Sequence, residues 1–238
     1  MTKDKFIRDI LPPILIVLFS IIAAVITGDY FPGGLVLLLG FIAFFYQIRG
    51  KWYYYFFSIV YTFLYAIISY LAGLYAYIFF AILVYIPCYI YGMISWKKKT
   101  TNGRVKTKAF SLKTTILLFV GIIAGGFGLG ALMSLIPGQN MAFVDSTIQL
   151  FNVSAVILCS FRHRECWYAW MIQNAMTLVL WTVNMLGGAT SAIMVLIINV
   201  VYCIGNFRGI YSWNKAAREE KQVENTIHDK DISEVKEG

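Results

Sequence analysis

Residues 167–184 read "WYAWMIQNAMTLVLWTVN", a run apolar enough for a bilayer that nonetheless carries three indoles and three carboxamides. Trp167, Trp170, Asn174, Thr177, Trp181 and Asn184 follow steps of 3, 4, 3, 4 and 3. At about 100° per residue they fall within a sector of roughly 100° on one helix. Amides and indole N–H groups are costly against lipid, so this stripe turns toward a protein interior. Other helices must surround it.

Composition supplies them. The chain has 238 residues, 59% hydrophobic and 13% charged, with a mean hydropathy of +0.70, which places it among polytopic membrane proteins. Lipid leaves no water to satisfy open backbone groups and no alternating strand pattern is present, so the fold class is all-α. Eight apolar segments approach the ~20 residues a crossing requires. They lie near 11–27, 33–48, 53–71, 74–96, 113–136, 142–160, 166–186 and 189–213.

The charges orient these segments. With a cytoplasmic N-terminus, the inner stretches "MTKDKFIRD", "QIRGKW", "WKKKTTNGRVKTKAFSLK", "SFRHRE" and everything after Phe207 hold all 20 Lys and Arg residues. The outer loops "GDYFPGG", "LAGLY", "PGQNMAFVD" and "NMLGGATS" hold none. This is the positive-inside pattern, and it predicts both termini in the cytoplasm and a multi-pass protein of the cell membrane. The net charge of +8 is thereby assigned to topology and to anionic headgroups of the lipid bilayer, not to nucleic acid. A signal peptide is not expected, since no small-residue cleavage site precedes a soluble remainder. The tail after Trp213 is polar and mixed in sign, and is expected to be a frayed helix followed by disorder.

Cys88, Cys159, Cys166 and Cys203 show no metal-ligand spacing and read as small buried hydrophobes without disulfides. With His163 and His228 as the only histidines, neither a metal site nor a cofactor is expected. No nucleophile and base pair stands out, so the chain does not read as an enzyme.

A weak internal repeat organises the helices. "YGMISWKKK" at the end of the fourth span and "RGIYSWNKAAR" at the end of the eighth share Gly92, Ser95 and Trp96 against Gly209, Ser212 and Trp213. Each follows an aromatic-rich span entered through a short basic turn. Residues 33–96 and 142–213 therefore form two three-helix repeats that point the same way through the membrane. Residues 1–32 precede them with an extra hydrophobic helix, 97–141 supply a basic loop and a linker helix, and 214–238 form the tail. Parallel repeats usually enclose a substrate near the midplane. In the linker, "GIIAGGFGLGA" spaces glycines by four, a packing pattern for a close neighbour.

Further stripes match that of the seventh span. Asn199, Tyr202, Asn206, Gly209 and Trp213 share one face of the eighth, Tyr85, Tyr89, Gly92 and Trp96 one face of the fourth, and Gln149, Asn152 and Cys159 one side of the sixth. Trp96, Trp167 and Trp213 lie near the boundary and read as an interfacial belt. The deeper Asn174, Trp170, Trp181, Asn199, Asn206, Tyr85 and Tyr89 are candidates for holding a planar heteroaromatic ring, its carboxamide and sugar hydroxyls. Asp145, in "VDS" at the outer mouth, reads as a helix N-cap. With no ionisable group at the midplane, facilitated diffusion fits better than proton coupling.

The run "FVDSTIQLFNVSAVILCSFRHRECWYAWMIQNAM", the Gly, Trp and basic cluster at 209–218, and "LYAYIFFAILVYIPCYIYGMISW" together resemble the PnuC-type nicotinamide riboside transporters over about residues 33–218. The resemblance implies a three-plus-one-plus-three helical fold similar to SWEET sugar transporters, and homotrimers. It also implies uniport of nicotinamide riboside or a related small aromatic nucleoside or vitamin, trapped by cytoplasmic phosphorylation. Family members tend to carry Asn or Gln at places matching Tyr61, Ala81 and Tyr89, so Tyr61 joins the candidates as a phenol in place of an amide. Related carriers for thiamine, riboflavin or deoxynucleosides stand as alternatives. So do a vitamin-binding subunit that needs an energy-coupling partner and a membrane protein whose amides only pack helices.

Overall fold

The computed structural model describes residues 11–101, 104–189 and 191–237, with side chains excluded at 101–105, 216, 217 and 219–237. The expectations for residues 1–10 and for the side chain of His228 lie outside what the structure describes. In chain order the helices are α1 Leu11–Thr27, α2 Leu35–Ile48, α3 Tyr53–Leu71, α4 Tyr75–Lys98, α5 Leu112–Met133, α6 Ala142–Ser160, α7 Cys166–Leu186 and α8 Ala192–Glu237. A wide turn over Tyr30–Gly34 leads into α2, its entry fixed by Asp29 Oδ1 accepting from Gly33 N at 3.1 Å. The eight predicted segments are thus eight helices. The tail departs from expectation, because α8 continues as helix to Glu237. Its "NKAAREEKQVE" is built of good helix formers, with no Gly or Pro to stop it.

Among the described residues six stretches are long and apolar enough to cross a membrane: Tyr30–Ile48, α3, α4, α5, α6 and Ala192–Lys215. The 21 residues of α7 suffice by length, at about 1.5 Å per residue, and fall short only in apolarity because of the stripe. Exposed Phe63, Ile82, Val120, Phe127, Val179 and Ile204 cover the outside of the bundle, as a hydrocarbon solvent requires. The protein is a multi-pass membrane protein.

Helix contacts close a ring. α2 packs on α3, α3 on α4, α4 on α6, α6 on α7, α7 on α8, and α8 returns to α2. α5 lies outside this ring against α6, and α1 outside it against α2. The glycines explain the first of these placements. A Cβ at Gly130 would lie 2.7 Å from Phe143 Cα and one at Gly126 2.8 Å from Thr147 Cα, whereas Gly121 and Gly128 face open space. α1 docks through buried Ser20, Ala23 and Ala24, and Phe19 meets Phe41 at 5.9 Å.

Pro87 shapes α4. Its ring cannot coexist with a regular turn before it, and the helix widens into a π turn over Ala81–Tyr85. In an unbroken α-helix Tyr77 would point about 120° away from Tyr89. The wider turn brings both onto the same wall.

The basic end of the bundle carries Arg49, Lys51, Lys97, Lys98, Lys99, Arg162 and Arg164, with the β1 (Thr100–Thr101) and β2 (Arg104–Val105) hairpin among them. There the expected interfacial belt is corrected. Trp96, Trp167 and Trp213 are only 0%, 0% and 3% exposed and meet one another in the middle of the ring. Trp213 lies 5.7 Å from both Trp96 and Trp167, and Trp96 lies 5.1 Å from both Tyr54 and Tyr55. Gly92 makes room for the Tyr55 ring and Gly209 for Trp167, because any Cβ there would overlap them. The glycines and tryptophans of the two matching motifs therefore build one aromatic plug.

Candidate functional site

Above the plug lies a cavity of about 100 Å³, walled by all six helices of the ring. That is room for several waters. α2 contributes Ala43, Phe44 and Gln47; α3 contributes Tyr54, Ser58, Tyr61, Tyr65 and Ser69; α4 contributes Tyr77 and Tyr89, with Leu74 just before it. α6 adds Ile148, Gln149 and Asn152, α7 adds Trp170, Gln173, Asn174, Thr177, Leu180 and Trp181, and α8 adds Asn199, Tyr202 and Asn206. None of these side chains is a Lys, Arg, His, Asp or Glu.

Seven of the eight candidates from the sequence line this cavity: Asn174, Trp181, Trp170, Asn199, Asn206, Tyr89 and Tyr61. Tyr85 does not. It is fully buried behind Tyr77 and Tyr89, at 5.5 and 6.5 Å between ring centroids, and its hydroxyl donates to Gln149 Oε1 at 2.7 Å. The packing of α4 on α6 turns it sideways into the wall. Tyr202, Gln149, Asn152 and Thr177, read as lying on inward stripes but not among the candidates, line the cavity as well, and Gln47, Tyr65, Tyr77 and Gln173 were missed. The α3 positions Tyr54, Ser58, Tyr61, Tyr65 and Ser69 follow helical steps of 4, 3, 4 and 4, a signal masked by Tyr53, Tyr55 and Tyr70 around it.

The aromatic wall is oriented. Tyr61 stacks on Tyr65 at 5.4 Å with 26° between planes, and Tyr65 meets Tyr77 at 4.6 Å and Trp181 at 6.0 Å. Trp181 Nε1 donates to Tyr65 Oη at 2.8 Å. The polar wall is only partly satisfied from within. Asn199 Nδ2 donates to Val195 O at 2.7 Å, Gln173 Nε2 to Thr177 Oγ1 at 2.7 Å, and Trp170 Nε1 to Asn152 Oδ1 at 3.4 Å. Among the described residues both polar atoms of Asn206, Gln47 Nε2 and Ser69 Oγ have no partner although buried. Such groups are costly to bury unless water or a ligand meets them, and they are available to a ligand.

The end opposite the plug is closed by the segment before α6. Gln139 Oε1 accepts from Tyr75 N at 3.1 Å, Asn140 N donates to Gly73 O at 2.9 Å, and Asn140 Nδ2 donates to Asn184 Oδ1 at 3.0 Å. Asp145 is corrected here as well. The residue capping α6 is Met141, at φ 46°, and Asp145 is 0% exposed inside the first turn. It accepts from Gln139 Nε2 and Gln149 Nε2, each at 3.0 Å. The α7 stripe is thus divided by depth: Trp167 belongs to the plug, Trp170 to Trp181 face the cavity, and Asn184 belongs to the far closure.

Outside the ring, the turn before α7 folds around Glu165, 3% exposed, whose Oε1 accepts from Phe110 N at 2.9 Å. Burial lowers the pKa of the neighbouring His163, and Lys108 and Arg162 push it the same way against the opposing pull of Glu165. Among the described residues no group of three His, Cys, Asp or Glu side chains is placed to hold a metal ion.

Comparison with known proteins fits this geometry. A crystal structure of the vitamin B3 transporter PnuC superposes with a TM-score of 0.76, covering 92% of this chain and 94% of that one at 22% identity. The nicotinamide riboside transporter PnuC of Neisseria mucosa is 27% identical over 177 residues, which take in 71% of this chain and 66% of the relative, just under two thirds of its length. The protein of the same name from Haemophilus influenzae is 24% identical over 174 residues, 71% of this chain and 73% of the relative. Residues 33–227 match the family described as nicotinamide mononucleotide transporter, most of the chain, and to that family of membrane transporters the chain belongs.

Proposed function

We propose that this chain is a facilitative carrier of the cell membrane that imports nicotinamide riboside, which cytoplasmic phosphorylation then traps. The observation that carries the proposal is the uncharged cavity inside the six-helix ring. Its Trp and Tyr faces suit a planar, electron-poor ring, and its carboxamides and hydroxyls suit a carboxamide and a ribose. The same lining favours the riboside over the mononucleotide, because a phosphate would enter without an Arg, Lys or His to meet it.

In this proposal both termini face the cytoplasm, so the tryptophan plug is the inner closure and the Gln139, Asn140 and Asn184 contacts are the outer one. Residues 33–96 and 142–213 act as parallel repeats around the cavity, with 97–141 as linker. The contact order supports this, since each junction joins the last helix of one triple to the first of the other. Assembly as a homotrimer belongs to the same proposal. Tyr61 and Tyr89, where the family tends to have amides, favour one competing substrate class, another vitamin or nucleoside read by phenols.

The test is thermal stabilisation of purified protein by nicotinamide riboside, its mononucleotide, thiamine, riboflavin, thymidine and deoxyadenosine, followed by uptake into liposomes. A selective shift with nicotinamide riboside and uptake without a partner protein are expected. A selective shift with another compound reassigns the substrate. Binding without uptake favours a subunit that needs an energy-coupling partner.

A further inference from the structure

The buried acid of α6 has no part in the proposal so far. Asp145 is fully enclosed, and among the described residues its oxygens are held by neutral donors, the side-chain amides of Gln139 and Gln149 and the backbone N–H of Ala76. The helix N-terminus beside it offers about half a positive charge at most. Gln149 is 5% exposed and lines the cavity, so a single glutamine side chain separates the carboxylate from the ligand space. That glutamine is fixed at both ends. A carboxylate only accepts, so the amide nitrogen must face Asp145, and Gln149 Oε1 takes the Tyr85 hydroxyl at 2.7 Å. Enclosing a net charge with neutral partners is expensive unless an opposite charge arrives.

We propose that Asp145 is the counter-charge for a cationic ligand: a specificity-determining residue that acts through Gln149 and favours a pyridinium nucleoside over a neutral one of the same shape. This rests on the nicotinamide riboside proposal, whose ring nitrogen carries a permanent positive charge through its glycosidic bond. The aromatic wall attracts a cation at its ring faces, and the carboxylate adds a field that reaches across the cavity. At an effective dielectric of about 20 and a separation of roughly 12 Å, one unit charge changes a binding constant about tenfold. An anionic ligand is disfavoured by the same field.

The experiment compares nicotinamide riboside with its reduced dihydropyridine form, which has the same heavy atoms and no charge. Dissociation constants are measured on purified wild type, Asp145→Asn and Asp145→Glu. Wild type is expected to prefer the cation by about tenfold or more. Asp145→Asn should lose that preference while its affinity for the neutral form stays within a few fold, and Asp145→Glu should keep it. An equal loss for both ligands in Asp145→Asn would make the residue merely structural and overturn the inference. If Asp145→Asn does not fold, equal wild-type affinity for the two forms overturns it alone. Wild type binding neither form overturns the substrate proposal and the inference together.

Discussion

The hydrogen bond between Trp181 and Tyr65 lends itself to a quantitative test. Indole N–H can only donate, so at 2.8 Å the phenol oxygen accepts and its own proton remains for the cavity that both residues line. Tyr65→Phe removes that donor and leaves the Trp181 nitrogen unpaired at 1% exposure, a loss of about 1–3 kcal/mol. Trp181→Phe keeps a ring and leaves a phenol that the ligand can still engage, at about 1 kcal/mol. In the double variant neither group is orphaned, so the combined loss should fall short of the sum by about 1 kcal/mol or more. The assay is a double-mutant cycle on the unfolding free energy of the purified protein, with nicotinamide riboside affinity measured beside it by tryptophan-fluorescence quenching or calorimetry. Tyr65→Phe should weaken binding by roughly tenfold and more than Trp181→Phe does. Effects that add to within about 0.5 kcal/mol would refute the coupling and the donor role drawn from it.

Asn206 is 1% exposed with both side-chain polar atoms unpartnered among the described residues, so Asn206→Leu should raise the thermal unfolding midpoint while abolishing uptake. A lowered midpoint with intact uptake would contradict its assignment as a ligand contact. In α5, Gly126→Leu should separate the helix from Thr147 and sharply reduce the yield of folded protein, whereas Gly121→Leu, with open space beside it, should be tolerated; size-exclusion profiles of the two distinguish the outcomes.

Much of the cavity was legible because lipid sharpens the signal. A polar side chain in an apolar span has to face inward, so the steps of 3 and 4 through Asn174, Trp181, Asn199 and Asn206 marked the wall before any fold was known. The glycines of α5 announced a close neighbour in the same way. Where the signal failed, the reason is local. In α3 tyrosines occur on every face, and composition alone does not separate Tyr65 in the cavity from Tyr70 on the outside. In α4 the stripe assumed a regular helix, and the π turn before Pro87 brought Tyr77 into the wall.

Hydropathy and period-3.6 stripes by themselves determined which described stretches are apolar helices and which face of α7 and α8 turns inward, because these depend on local sequence and on the solvent around it. What lies opposite each stripe was decided only by the ring closure of α8 on α2 and α4 on α6. That closure gathered Trp96, Trp167 and Trp213, expected at the lipid boundary, into a buried plug, and it sealed Asp145, expected as a cap, inside α6 one glutamine away from the cavity. Depth and partnership in a bundle depend on contacts between residues far apart in the chain, which a pattern within one helix does not encode.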